Sequence, residues 1–160
     1  MKLKHVNFSG MGANCYLIDT DDVRIVVDPF DTHEEIDDFF TTDKPKYVLL
    51  THFHFDHILG AKEIREKHGA KIAIGEADEI GLYNPEYSLS GMVGLTQEPF
   101  YADILFENGD VFINKNKFRV FDNFKISGII FINSVNAKVF VFVKPVNKVL
   151  CKISKFSAVL

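Results

Sequence analysis

The most constraining stretch of this chain is Tyr47-Val48-Leu49-Leu50, four apolar residues in a row between Pro45 and Thr51. An unbroken apolar run of this length reads as a strand buried on both faces, the habit of strands in parallel sheets. Leu59 and Ile64 follow at helical spacing within Ile58–His68, with Lys62, Glu63, Arg65 and Glu66 outward, and Gly69 stands where a C-terminal glycine belongs. Lys71-Ile72-Ala73-Ile74 is the next strand. Upstream, Arg24–Val27 reads as a strand, and Ile36, Phe39 and Phe40 mark a short amphipathic helix stopped near Pro45. Strand, helix, strand, helix, strand predicts an α/β fold, with part of its sheet parallel and two helices on one face.

The flanks read as follows. Lys2–Phe8 and Cys15–Ile18 are strands joined by a turn at Ser9-Gly10-Met11-Gly12, and Asp19–Asp22 turns the chain back into Arg24–Val27. Asp31-Thr32-His33-Glu34 has the form of a capping box, with Asp31 at the N-cap. Helical turns are expected around Glu76–Leu82, then loop, then a turn at Asn108-Gly109-Asp110. Beyond it, Phe118–Phe121, Ile129–Ile132, Val139–Val143 and Val149–Cys151 are strand candidates that would extend the sheet.

Length supports a single domain over residues 1–160. The net charge of −4 conceals a break after Asp110. Residues 1–110 balance at −12, whereas residues 111–160 hold nine Lys and Arg against one acid, Asp122, and balance at +8. All six His lie at or before His68. Two distant cysteines, Cys15 and Cys151, exclude a disulfide scaffold and read as small buried residues. The N-terminus lacks a signal-type apolar run, and Ile129–Val143 is interrupted by Asn133, Asn136 and Lys138. A cytoplasmic protein without membrane or nucleic-acid partners is expected; the basic residues of the tail are interspersed with core-like apolar ones, unlike a binding tail.

The chemistry concentrates in Thr51-His52-Phe53-His54-Phe55-Asp56-His57, directly after the buried run. Three His and an Asp in six residues arise by chance in roughly one such chain in 1,500. A strand end leading into a helix is where ligand sites collect in open α/β sheets. His52 and His54 are two apart, so an extended segment points both the same way, and Asp56 and His57 follow as the chain turns. Imidazole and carboxylate donors suit Zn, and also Fe or Mn. A surface cluster of imidazoles without ligand duty is the plainer alternative.

This stretch, with its strand, resembles the metallo-β-lactamase superfamily, and more narrowly its small glyoxalase-II-like hydrolases. The hallmark His-x-His-x-Asp-His is met by His52, His54, Asp56 and His57, and the resemblance covers about residues 1–110. It implies an αββα sandwich of two sheets between helix layers. It implies that His52 and His54 hold one metal, that Asp56 and His57 hold a second, and that Asp28 stands as a supporting acid. It also implies one or two Zn ions and hydrolysis of a small-molecule ester, thioester, amide or phosphodiester, with Asp56 as the catalytic group orienting the attacking water. Thioester hydrolysis, as in glyoxalase II, is the narrower expectation.

Residues 111–160 depart from the pattern. The family's second half supplies a His from a Pro- and Gly-rich turn, a bridging Asp and a late His. Here the corresponding stretches read Phe121–Gly128 and Lys144-Pro145, with no His. The fold is therefore expected to be truncated or degenerate in its C-terminal half. A frameshifted tail, a degenerate homologue and a basic appendage are the three accounts of that segment. Its apolar share favours a homodimer, and the alternative to an active hydrolase is an inactive metal-binding or oligomerising remnant.

Overall fold

The computed structural model describes residues 1–6, 8 and 13–107 with side chains, and beyond them the backbone of 109–113, 116–123, 126–133, 138–141 and 144–145. The chain divides into two compact units, Met1–Leu105 and Phe106–Leu160.

The first sheet has six strands whose spatial order repeats their chain order: β1 (Lys2–Val6), β2 (Cys15–Asp19), β3 (Arg24–Val27), β4 (Lys46–Leu49), β5 (Lys71–Gly75) and β6 (Ile104–Phe106). β1, β2 and β3 form an antiparallel meander, with Leu3 opposite Ile18 and Leu17 opposite Val26. Two helical crossovers then make β3, β4 and β5 parallel, in the register Val27 to Leu49 and Leu49 to Ala73. The crossovers are α1 (Glu34–Phe39) and the pair α2 (Phe55–Ile58) and α3 (Ala61–His68).

The apolar runs are buried as their pattern demands. Val26, Val48 and Ile72 pack with Ile36, Phe40 and Ile64 of the helices in one core. On the opposite sheet face Ile25, Leu49 and Ala73 are also fully enclosed. Burying a side chain of this kind contributes about 1.5–3 kcal/mol, so these strands are strongly held in register.

The helix expected over Ile58–His68 is two helices, parted at Leu59-Gly60. The backbone explains the break. Gly60 N donates to Pro29 O at 3.1 Å, and a Cβ on Gly60 would lie 2.6 Å from the Asp31 carbonyl carbon. The chain passes so close to the 29–31 turn that only glycine fits. Gly69 closes α3 as the sequence predicts, at φ +66°, with its N–H donated to Arg65 O. The capping box at Asp31 does not form. His33 is the N-cap of α1, its Nδ1 accepting from Glu35 N at 3.2 Å, while Asp31 Oδ1 accepts from Thr32 N inside the turn that hugs Gly60.

After β5 a 3-10 turn at Glu76–Asp78 leads to α4 (Ile80–Tyr83), matching the expected helical turns. The loop expected next contains α5 (Pro85–Ser88) and a further 3-10 turn at Ser90–Val93. Its signal is Asn84-Pro85: Asn84 Oδ1 caps Glu86 N at 3.1 Å, and Pro85 takes the first helical position.

The second unit carries β7 (Gly109–Ile113), β8 (Asn116–Asn123), β9 (Ile126–Asn133), β10 (Lys138–Val141) and β11 (Lys144–Pro145). These strands form a sheet of their own, ordered β10-β9-β8-β7 with β11 also on β9, rather than extending the first. Short connections let each long strand pair antiparallel with its sequence neighbour, which accounts for the separate sheet. The strand candidate Ile129–Ile132 pairs with the strand at Val139. Gly109 and Asp110 are not a turn; they sit in β7 opposite Val120 and Arg119. The expected turn at Ser9–Gly12 and strand at Val149–Cys151 lie outside the described residues. Among the described residues no helix is long and apolar enough to cross a membrane.

Candidate metal centre

Parallel pairing brings the site together. Because Val27 is level with Leu49, the residues following β3 and β4 leave the sheet side by side, and Asp28 N extends the ladder to Leu49 O at 3.1 Å. Asp28 is buried and left-handed, at φ 50°, which an L residue adopts at a cost of about 1–2 kcal/mol. Two hydrogen bonds from Thr51 hold it there, with an imidazole close beside it. Its Oδ1 accepts from Thr51 N at 2.7 Å, its Oδ2 accepts from Thr51 Oγ1 at 2.6 Å, and His57 Nδ1 lies 2.8 Å from the same Oδ2.

These contacts assign protons. The Thr51 hydroxyl has one hydrogen, committed to Asp28, so at 3.0 Å from His52 Nδ1 its oxygen accepts. His57 Nδ1 stands beside the same carboxylate as a charge contact rather than a hydrogen bond. The Asp28 carboxylate thereby sets one imidazole, His52, through Thr51, with its proton on Nδ1 and its lone pair on Nε2. A carboxylate or hydroxyl behind the ring is the arrangement that orients histidine ligands of metals.

The four residues marked by the sequence lie at this one end of β4. The His52 and His57 ring centres are 3.9 Å apart, and those of His52 and His54 are 4.8 Å apart at 78°. Asp56 Oδ2 lies 3.5 Å from His57 Nε2. His52 is buried, whereas the Asp56 side chain is about a third exposed and reachable from solvent. Among the described residues no group of three or more His, Cys, Asp or Glu is arranged around a single ion. The donor types and their orienting partners fit a transition-metal ion; the number of donors per ion is low.

The other histidines have different partners. His5 Nε2 meets Asn14 Oδ1 at 3.0 Å, His33 caps α1, and His68 Nε2 meets Asp37 Oδ1 at 2.7 Å. Cys15 is enclosed, and burial together with the negative charges of Asp28 and Glu35 pushes its thiol far above the usual range. It is an inert core residue, as the sequence predicts. The side chains of Asp122 and Cys151 lie outside the described residues. Sequence reasoning missed the part of Thr51; its only signal was a hydroxyl residue directly after a strand whose parallel neighbour ends in Asp.

An α/β sheet with histidines and carboxylates at its parallel strand ends defines a class of metal-site folds, and the comparisons narrow it. The model of the metallo-beta-lactamase superfamily matches residues 9–122. The chain belongs to that superfamily. The probable metallo-hydrolase YqgX of Bacillus subtilis (strain 168) is 30% identical over 125 residues, 75% of this chain and 58% of that protein. The hydroxyacylglutathione hydrolase of Pelagibacter ubique is 39% identical over 63 residues, 36% of this chain and 26% of that protein. The fold matches the crystal structure of the BLEG-1 B3 metallo-beta-lactamase with TM-score 0.72 at 22% identity, covering 87% of this chain and 70% of that one. TTHA1623 in a di-iron-bound form matches with TM-score 0.67 at 24% identity, over 86% and 70%. The chain spans 58% or less of the length of these two curated relatives.

Proposed function

We propose that this chain provides the β4-end ligands of a metal-dependent hydrolase that acts on a small molecule, with thioesters as the substrate class. The observation that carries this is the Asp28–Thr51 network, which fixes the proton of His52 on Nδ1 and so puts the ring's lone pair on Nε2. His52 and His54 would hold one metal, and Asp56 with His57 a second. A bound ion would supply Lewis acidity and lower the pKa of its water. The chain's own residues do the rest. Asp28 and Thr51 keep the His52 proton on Nδ1, and the partly exposed Asp56 carboxylate orients the attacking water and accepts its hydrogen bond. The thioester reading is supported by likeness to a hydroxyacylglutathione hydrolase, and zinc or iron by the donor types.

Two protein donors per ion are fewer than the three usual in catalytic zinc sites. Weak binding is therefore expected, with occupancy set by metal concentration. The test is to purify the full chain, measure metal content after incubation with Zn, Fe(II) or Mn, and assay a glutathione thioester with each. Metal uptake with thioester turnover lost on His54→Ala supports the proposal. Metal uptake without turnover refutes the hydrolase reading, and no uptake refutes the metal centre.

A further inference from the structure

Phe53 sits between two of the motif histidines, in a segment (51–54) that belongs neither to β4 nor to α2. Such a segment lacks the continuous backbone ladder of a strand, so side-chain anchoring decides where its histidines stand. The Phe53 ring is held on three sides. It meets the His54 ring edge-on, with centres 5.4 Å apart at 89°. It meets Tyr87 of α5 in the same way, at 6.3 Å and 77°. Its third contact is with Gly81 of α4, so close that a methyl group there would overlap Phe53 Cβ and Cγ and lie 2.8 Å from Cδ2.

The surface against which Phe53 rests is itself fixed. Buried Gln97 donates through Nε2 to the carbonyls of Gly81 at 2.7 Å and Leu82 at 2.8 Å, and its Oε1 accepts from Ser88 of α5. One amide therefore ties both short helices into a single platform. A platform with its polar groups satisfied is stiff, and a glycine needed for close approach marks a packing contact that tolerates no added carbon.

We propose that Phe53 is a positioning residue: clamped between Gly81 and Tyr87, it transmits the rigidity of the α4–α5 platform to the His54 imidazole and so sets its placement beside His52. The consequence for metal affinity rests on the reading of this site as a metal centre; the consequence for ring placement does not.

The test uses the metal-free full chain first. Side-chain resonances of His54 and His52 are compared in the wild type, Gly81→Ala, Tyr87→Leu, Phe53→Ala and the Phe53→Ala/Gly81→Ala pair. The His54 ring protons are expected to move from their aromatic-shielded positions in each single variant. The double variant should fall short of additivity, because the ring that the added methyl displaces is gone and only the Cβ at position 53 remains in its way. Should Gly81→Ala fail to fold, Tyr87→Leu at a half-exposed site still perturbs the clamp. Co(II) titration then follows, with affinity expected to fall by about tenfold or more in Gly81→Ala. Unmoved His54 resonances in both Gly81→Ala and Tyr87→Leu, or full additivity in the double variant, would overturn the clamp. A wild type that takes up no Co(II) overturns the metal reading instead, and the metal-free resonances still decide the clamp.

Discussion

Asp28→Asn tests the logic of the site with almost no change in volume. The amide keeps Oδ1 for Thr51 N, but puts a donor where Oδ2 accepted from Thr51 Oγ1 at 2.6 Å. Donor would then face donor. The least costly repair turns the Thr51 hydroxyl, whose oxygen accepts from the new amide and whose hydrogen goes to His52 Nδ1 at 3.0 Å, so that the His52 proton moves to Nε2. In the metal-free chain, hydrogen bonds to a charged group at about 1.5–3 kcal/mol each are exchanged for neutral ones at about 1 kcal/mol. Asn tolerates the left-handed backbone at φ 50°. The net loss is about 2 kcal/mol, read as a lower urea midpoint. The repaired tautomer has lost the lone pair that faces a metal, so Co(II) affinity should fall by about 10- to 100-fold, or about 1.4–2.8 kcal/mol. Imidazole 15N shifts would report the tautomer directly. Retention of the proton on His52 Nδ1 in this variant, with unchanged Co(II) affinity, would refute the claim that Asp28 sets it through Thr51.

Three further substitutions probe the scaffold. Ile72→Ala empties a fully buried position in the central core and should lower unfolding free energy by about 2–5 kcal/mol in urea. Gly69→Ala meets open space but a φ of +66°, costing about 1–2 kcal/mol; Gly60→Ala has an ordinary φ but collides with the Asp31 backbone at 2.6 Å and should shift the 29–31 turn, costing about 1–3 kcal/mol. Both are measured by thermal unfolding. Asp37→Asn addresses pH. The Lys67 hydrogen bond, joined by that of His68 against a smaller desolvation penalty, holds the Asp37 carboxyl below the usual range. A lowered folded pKa gives stability that is present above the unfolded value near pH 4 and is lost as pH falls through the folded one. The wild type should therefore exceed Asp37→Asn in melting temperature at pH 5 and converge with it in stronger acid. A gap that persists unchanged below pH 3 would contradict this assignment.

Strands β1 to β5 were legible because their signal is local: four apolar residues in a row at Tyr47–Leu50 suffice to bury both faces of β4, whereas the three-residue β6 lies in a stretch that reads as loop. The clustering of His52, His54, Asp56 and His57 at the end of β4 was legible for the same reason, since they are neighbours in sequence. What failed depended on distant contacts. Pattern alone runs a helix from Ile58 to His68; the bond from Gly60 to Pro29, 31 residues away, breaks it. The same crossing takes Asp31 from the cap it resembles and leaves His33 to do that work. Gly109-Asp110 has turn composition, yet pairing with Val120 and Arg119 places it in a strand. Thr51 looks like any polar residue leaving a strand until parallel register sets it against Asp28.

The first sheet keeps its strands in the order in which they are made, β1 through β6. Each strand therefore finds its partner in the segment synthesised just before it, and loop-closure entropy is small at every step. The described part of the site shares this economy of distance, running from the carboxylate of Asp28 to the imidazole of His57. A ribosome releasing this chain would free all of these residues before β5 emerged. The frame that orients the histidines is thus a local folding product, with β5 and the α4–α5 platform closing on it afterwards.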